Sequence, residues 1–245
     1  MLTRRDITVK YKQSVMGLLW AVLMPLIITL AGVVVKVGLA RVSGKPLLLD
    51  DIMRVLVKAL PWSFFVASLR FSTLSLAANT SLVTKIAFPR AVFPVSAVGS
   101  QLFDFAVAGT VAVTILIIGQ VGLSVHLLWV PLLLLILVLQ VTGFALLLSA
   151  ANLFFRDVKY LVEVVLTFAI FFTPVFYEVE MFGRWGTLLL LNPVAPILEG
   201  LSDCIIEHHA PPAPWIAYSA AVALLIGIVA PRWFQRLEPK FAENI

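Results

Sequence analysis

Between Phe105 and Phe155 fifty-one consecutive residues contain no Lys, Arg, Asp or Glu. A hydrocarbon core of roughly 30 Å takes about 20 helical residues to cross, so this run is too long for one span and fits two joined by a turn. The turn falls at Gly119-Gln120-Val121-Gly122-Leu123-Ser124, where two glycines and polar neighbours interrupt the aliphatic pattern. The remainder of the chain is of the same kind. It is 61% hydrophobic and 13% charged, about half the charged fraction of an ordinary soluble domain. Unpaired backbone groups are costly in lipid, which leaves helices or closed barrels, and the apolar runs lack the period-two alternation of barrel strands. The expected fold is therefore an all-α polytopic membrane protein forming one transmembrane domain over residues 1–245.

Taken in order, residues 1–12 are short and basic and suit an interfacial segment. Spans are expected over about residues 14–40, 59–78, 91–118 and 127–151, the second opening at Pro61-Trp62. Residues 41–58 read as a loop outside the bilayer. A fifth span ends near Tyr177 and a sixth covers about 215–231. Between them, the uncharged stretch Trp185 to Leu198 is too short to cross and is interrupted by Pro193 and Pro196, so it reads as re-entrant. The segments 1–12, 79–90, 152–160 and 232–245 hold eleven Lys and Arg, against five in 41–58 and 178–214. That bias places both termini in the cytoplasm. The net charge of +5 belongs to these links and implies no nucleic acid.

Residues able to carry chemistry are few. Consecutive His208 and His209 point apart on a helix, and no third ligand has metal spacing, so no metal site is expected. Gly44-Lys45 is followed by Pro46 rather than Ser or Thr, so there is no phosphate-binding loop and no nucleotide cofactor is expected in this chain. No converging polar set suggests a membrane-embedded transferase. Two charges lie within predicted spans, Arg70 and Asp104, at depths of roughly 13 and 20 Å. An intramembrane ion pair between them is one reading, a proton relay or separate solvation in a polar cavity the others. In the fifth span Phe168, Phe171, Phe172 and Phe176 fall within about 140° of helical arc, one aromatic face. Such a face either stacks on sugar rings or packs on helices and lipid.

The motifs Arg5-Asp6-Ile7, Tyr11-Lys12-Gln13-Ser14, Leu60-Pro61-Trp62-Ser63-Phe64-Phe65, Phe88-Pro89-Arg90, Arg156-Asp157-Val158, Thr173-Pro174-Val175 and Leu191-Asn192-Pro193 resemble those of ABC-2 type permeases that export polysaccharides, the O-antigen and teichoic-acid exporters. The resemblance runs from the first residues to the tail Phe241-Ala242-Glu243-Asn244-Ile245. Members of that family carry more residues ahead of the Arg-Asp pair than stand before it here. The resemblance implies a homodimeric, non-catalytic transport subunit of the bacterial inner membrane. It would move a lipid-linked polysaccharide outward, with ATP and Mg bound by a separate ATPase subunit. It further implies an ATPase interface at Arg5, Asp6, Tyr11, Lys12, Lys85, Phe88 and Arg90, and a channel lined by Phe168, Phe171, Phe172 and Phe176, with Tyr177 near the outer mouth. A permease for teichoic acid, another lipid or a drug is the alternative within the same fold.

Overall fold

Helix α2, Leu49–Ser75, is the post around which the other elements stand. In this computed structural model, which describes residues 3, 17, 19–44, 46–80 and 89–243, 72% of its most apolar window is buried, against 22% for the first, third and last long helices. Helix α1 (Leu19–Ser43) packs on α2 and on α3 (Val92–Ile118); α4 (Trp129–Phe154) packs on α2 and on α8 (Ala213–Leu237). A short α5 (Val158–Ala169) lies against α2 and α4, and the small helix α7 (Ala195–Ser202), with α6 (Gly186–Leu190) beside it, packs on α2, α4 and α8. The described residues contain no strand. Five helical segments, beginning at Leu19, Leu49, Val92, Val125 and Ala213, are long and apolar enough to cross a membrane.

The α3/α4 hairpin forms where the uncharged run predicts it. Gln120 takes the left-handed conformation at φ 56° inside the turn, and the Ser124 hydroxyl accepts from the His126 amide to start the next segment. Two departures from expectation carry more information. The stretch 41–58 is not a loop: α2 begins at Leu49, so Pro61 lies inside the helix rather than at its start. Asp50 and Asp51 stand in the first turn, where carboxylates complement the helix dipole, and Asp51 Oδ2 accepts from the Leu48 amide at 3.0 Å. Two of the charges that made this stretch look solvated, Arg54 and Lys58, are instead paired with Glu207 and Glu199 far along the chain.

The expected fifth span is the second departure. Helical structure stops at Phe172, after α5 and one 3-10 turn over Ile170–Phe172, and Thr173 is extended at φ −122°, ψ 132°. Pro174 is the cause, since its ring excludes helical geometry from the residue before it. The irregular backbone that follows is buried throughout residues 173–176. Non-helical backbone at membrane depth is tolerated only when protein covers it, which this chain achieves with α1 and α2. Gly32 of α1 makes the approach possible: a β-carbon there would overlap the side chains of Val55 and Phe176.

The two ends of the bundle differ in chemistry. One, the acidic end, gathers Asp50, Asp51, Glu178, Glu199, Asp203 and Glu207. The other, the basic end, is closed by the tail. There Phe241, fully buried, packs edge-on against Phe234 and Phe154, and Arg90 donates from its backbone to Glu238 Oε1 at 2.8 Å and from its guanidinium to the Glu238 carbonyl.

Candidate functional site

At the acidic end three cations of the first two helices hold the segments that follow α5. Lys58, 2% exposed, places Nζ 2.6 Å from Glu199 Oε2 on α7 and 3.4 Å from the Tyr177 carbonyl oxygen. One turn earlier on the same face of α2, Arg54 pairs with Glu207 in the single π-helical turn Asp203–Glu207. Lys36 of α1 pairs with Glu178 and lies 3.5 Å from Asp51. Burial pushes the Glu199 carboxyl up to about 7 against the pull of Lys58, and pushes Asp203 up to about 6, with the neighbouring Glu207 adding to the rise. A charged layer thus ties α1, α2, α7 and the chain around Tyr177 and Glu178 into one closed end.

Below it a neutral polar cluster locks the Leu191-Asn192-Pro193 turn in place. Asn192 donates to Thr173 Oγ1 at 2.9 Å and accepts from the Val194 amide; Thr173 in turn donates to the Ala169 carbonyl. Gln140 of α4, completely buried, donates to the Pro193 and Ser219 carbonyls, and Ser219 also donates to Pro193. Tyr218 reaches the Leu191 carbonyl at 2.7 Å. Sequence reasoning singled out the turn and Thr173-Pro174-Val175 as motifs without placing them together, and it missed Gln140 and Ser219 altogether. A lone glutamine amid uncharged aliphatics was the available signal, because such a group is expensive in hydrocarbon without partners.

The aromatic residues divide. Phe168, Phe171 and Phe172 are 58%, 65% and 68% exposed and continue a face with Leu161, Val164 and Val165 that no described residue covers. Phe176 does not join them. The helix has ended before it, so the 3.6-residue period no longer applies, and its ring is buried against α1 at Gly32. Tyr177 is half-buried, its hydroxyl donating to the Phe171 carbonyl and its ring meeting Phe182 edge-on.

The expected Arg70–Asp104 pair does not form. Arg70 Nη2 lies 2.7 Å from Glu163 Oε1 of α5, and both side chains are substantially exposed. Asp104 is buried beside Gln101 in a cavity of about 220 Å³ between α1, α2 and α3, walled by Trp20, Met24, Phe64 and Phe71. Of the residues expected at an ATPase interface, Arg5, Asp6, Tyr11, Lys12, Lys85 and Phe88 lie outside the described residues, and Arg90 is bound to the tail.

Long apolar helices, buried polar side chains met by partners from other segments and irregular backbone sealed within the protein define an α-helical, multi-pass membrane protein. The profile of the ABC-2 type transporter family matches residues 1–206, and the chain belongs to that family as a transport subunit. Among its relatives is a protein named O-antigen export system permease protein RfbA from Klebsiella pneumoniae, 27% identical over 247 residues, covering 99% of this chain and 92% of that one. Another of the same name from Myxococcus xanthus is 26% identical over 249 residues, covering 100% and 94%.

Proposed function

We propose that this chain is the membrane subunit of an exporter that carries an O-antigen-like, lipid-linked polysaccharide outward across the bacterial inner membrane. Two copies surround the path, a separate ATPase subunit binds ATP and Mg and drives it, and both termini are cytoplasmic. Supporting this is the length-wide similarity to proteins named for O-antigen export. Within the fold, the carrying observation is the uncovered face of α5 and its 3-10 turn: six large apolar side chains, three of them Phe, on a segment whose opposite side is packed. Aromatic rings give weak contacts, of about 1 kcal/mol each, that do not depend on which hydroxyls pass. In this reading α5 with its 3-10 turn is the sixth crossing, short because the covered chain at 173–176 completes it. The segment 178–214 enters from the acidic side and returns to it.

The double substitution Phe168→Ala with Phe172→Ala is expected to lower export several-fold while assembly and basal ATP hydrolysis persist. Single cysteines at 168, 171 and 172, in a background with Cys204→Ser, are expected to react with a water-soluble thiol reagent during turnover. Failure of all three to react removes α5 from the path. Loss of thermal stability ahead of export makes the face a packing surface instead. For the ATPase, Lys85→Ala with Phe88→Ala is expected to abolish co-purification of the two subunits; unchanged co-purification and export would remove the 79–90 link from the interface.

A further inference from the structure

At the basic end a cavity of about 190 Å³ opens between the end of α2 and the link from α4 to α5. Leu74, Ala77 and Leu153 form its apolar wall; Thr80, Asn152, Arg156 and Lys159 supply its polar one. Among the described residues no carboxylate lines it. Asn152 is 3% exposed, and its Oδ1 is spent on the Lys159 amide at 3.1 Å. Its side-chain nitrogen makes no hydrogen bond among the described residues and is not sealed from solvent, so it remains available as a donor. Among the described residues Arg156 has no ion pair, and the Lys159 ammonium meets only the Tyr160 ring, 4.7 Å from its centroid. The acid best placed to neutralise Lys159 is Glu163, one helical turn on, and Arg70 has taken it. Asp157, between the two cations in sequence, is exposed and is not part of the lining. The cavity also sits beside the N-terminus of α5, whose dipole adds to the positive potential.

Donors on one wall and hydrocarbon on the other, at the level where a helix bundle leaves the membrane, match an amphiphile with a negative head. We propose that this cavity seats the phosphate group of a membrane lipid. Arg156 and Lys159 neutralise it, the Asn152 amide donates to a phosphate oxygen, and Leu74 and Leu153 flank the first carbons of the chain. A soluble phosphate would share the polar contacts and leave the apolar wall without a role. Identifying the lipid with the carrier of a transported glycan rests on the transport reading above; the seat itself does not.

The test uses the full-length chain alone in phosphatidylcholine nanodiscs that contain a small fraction of photoreactive polyprenyl phosphate. Crosslinking is expected to saturate, to fall with added salt, and to weaken about fivefold for each of Arg156→Gln and Lys159→Gln. Both positions are exposed, so neither change threatens folding. Asn152→Asp keeps the acceptor for the Lys159 amide while placing a negative charge in the cavity, and is expected to abolish the signal in protein whose melting temperature is retained. Equal crosslinking in the Arg156→Gln/Lys159→Gln double variant overturns the seat. Protection by inorganic pyrophosphate at the concentration where the lipid saturates overturns the lipid and leaves a soluble anion. Because neither ATPase nor glycan is present, a failed export assay would sink the transport reading without touching this one, and the reverse also holds.

Discussion

Lys58 and Glu199 form a buried ion pair across 141 positions of sequence, with Nζ 2.6 Å from Oε2 and the lysine side chain 2% exposed. Breaking a buried pair costs about 3–5 kcal/mol because the survivor stays charged without a partner. Here the two survivors are unequal. With Lys58→Met, Glu199 can take up a proton, since burial already holds its carboxyl at about 7. With Glu199→Gln, the ammonium keeps the Tyr177 carbonyl at 3.4 Å and loses its carboxylate. Thermal unfolding in detergent is expected to show Glu199→Gln as the more damaging change, with the double variant recovering part of the loss. Additive effects would mean that the two residues are not coupled.

The acidic end also sets a pH dependence. Asp203 is held at about 6 and Glu199 at about 7, against ordinary values of 3.8 and 4.5. A carboxyl raised on folding stabilises the protein below its unfolded value, and that contribution is lost as pH rises through the folded value. The melting temperature of the wild type relative to Asp203→Asn is therefore expected to decline between pH 4 and 7. A difference that stays constant over that range would show Asp203 to be ordinarily solvated.

Gly143 of α4 meets α8 so closely that a β-carbon would fall within the Ile226 side chain. Overpacking a seam of this kind costs about 1–3 kcal/mol. Gly143→Val should lower the melting temperature accordingly, and Ile226→Ala added to the same variant should restore part of it. No rescue would place the contact elsewhere.

The Arg70–Glu163 pair should contribute little. Exposed pairs are worth about 0–1 kcal/mol, and these side chains are 41% and 56% exposed. Arg70→Gln is expected to shift stability by no more than that, and to do so additively with Asp104→Asn. A cycle showing strong coupling between 70 and 104 would contradict the separation seen here.

What the sequence revealed depended on how far apart the cooperating residues lie. The hairpin Val92–Ile118 and Trp129–Phe154 stands within a few residues of expectation, because its signals, missing charges and a glycine turn, are local. The start of α2 was misplaced by ten residues. Lys58 and Arg54 look solvated until Glu199 and Glu207, more than 140 residues away, are brought beside them. The break at Thr173 was legible and overlooked: a residue before proline is a poor place to continue a helical face, and Phe176 was counted past it. The Asn192–Thr173 bond could not be read at all, since each residue is unremarkable in its own surroundings.

The brevity of α5 has a further consequence for the lipid around it. Twelve α-helical residues and one 3-10 turn rise roughly 24 Å, against about 30 Å of hydrocarbon. In the proposed arrangement the face of Leu161, Val165 and Phe168 lines the path, and it is the lipid at the rim of α5 that must thin, or tilt its chains, at a fraction of a kcal/mol for each ångström of mismatch. Acyl-chain length therefore becomes a variable of this permease. In that arrangement short-chain phospholipids relieve the deformation along α5 and long-chain ones deepen it, while α2 and α3, at 27 residues each, span the full thickness and adjust by tilting.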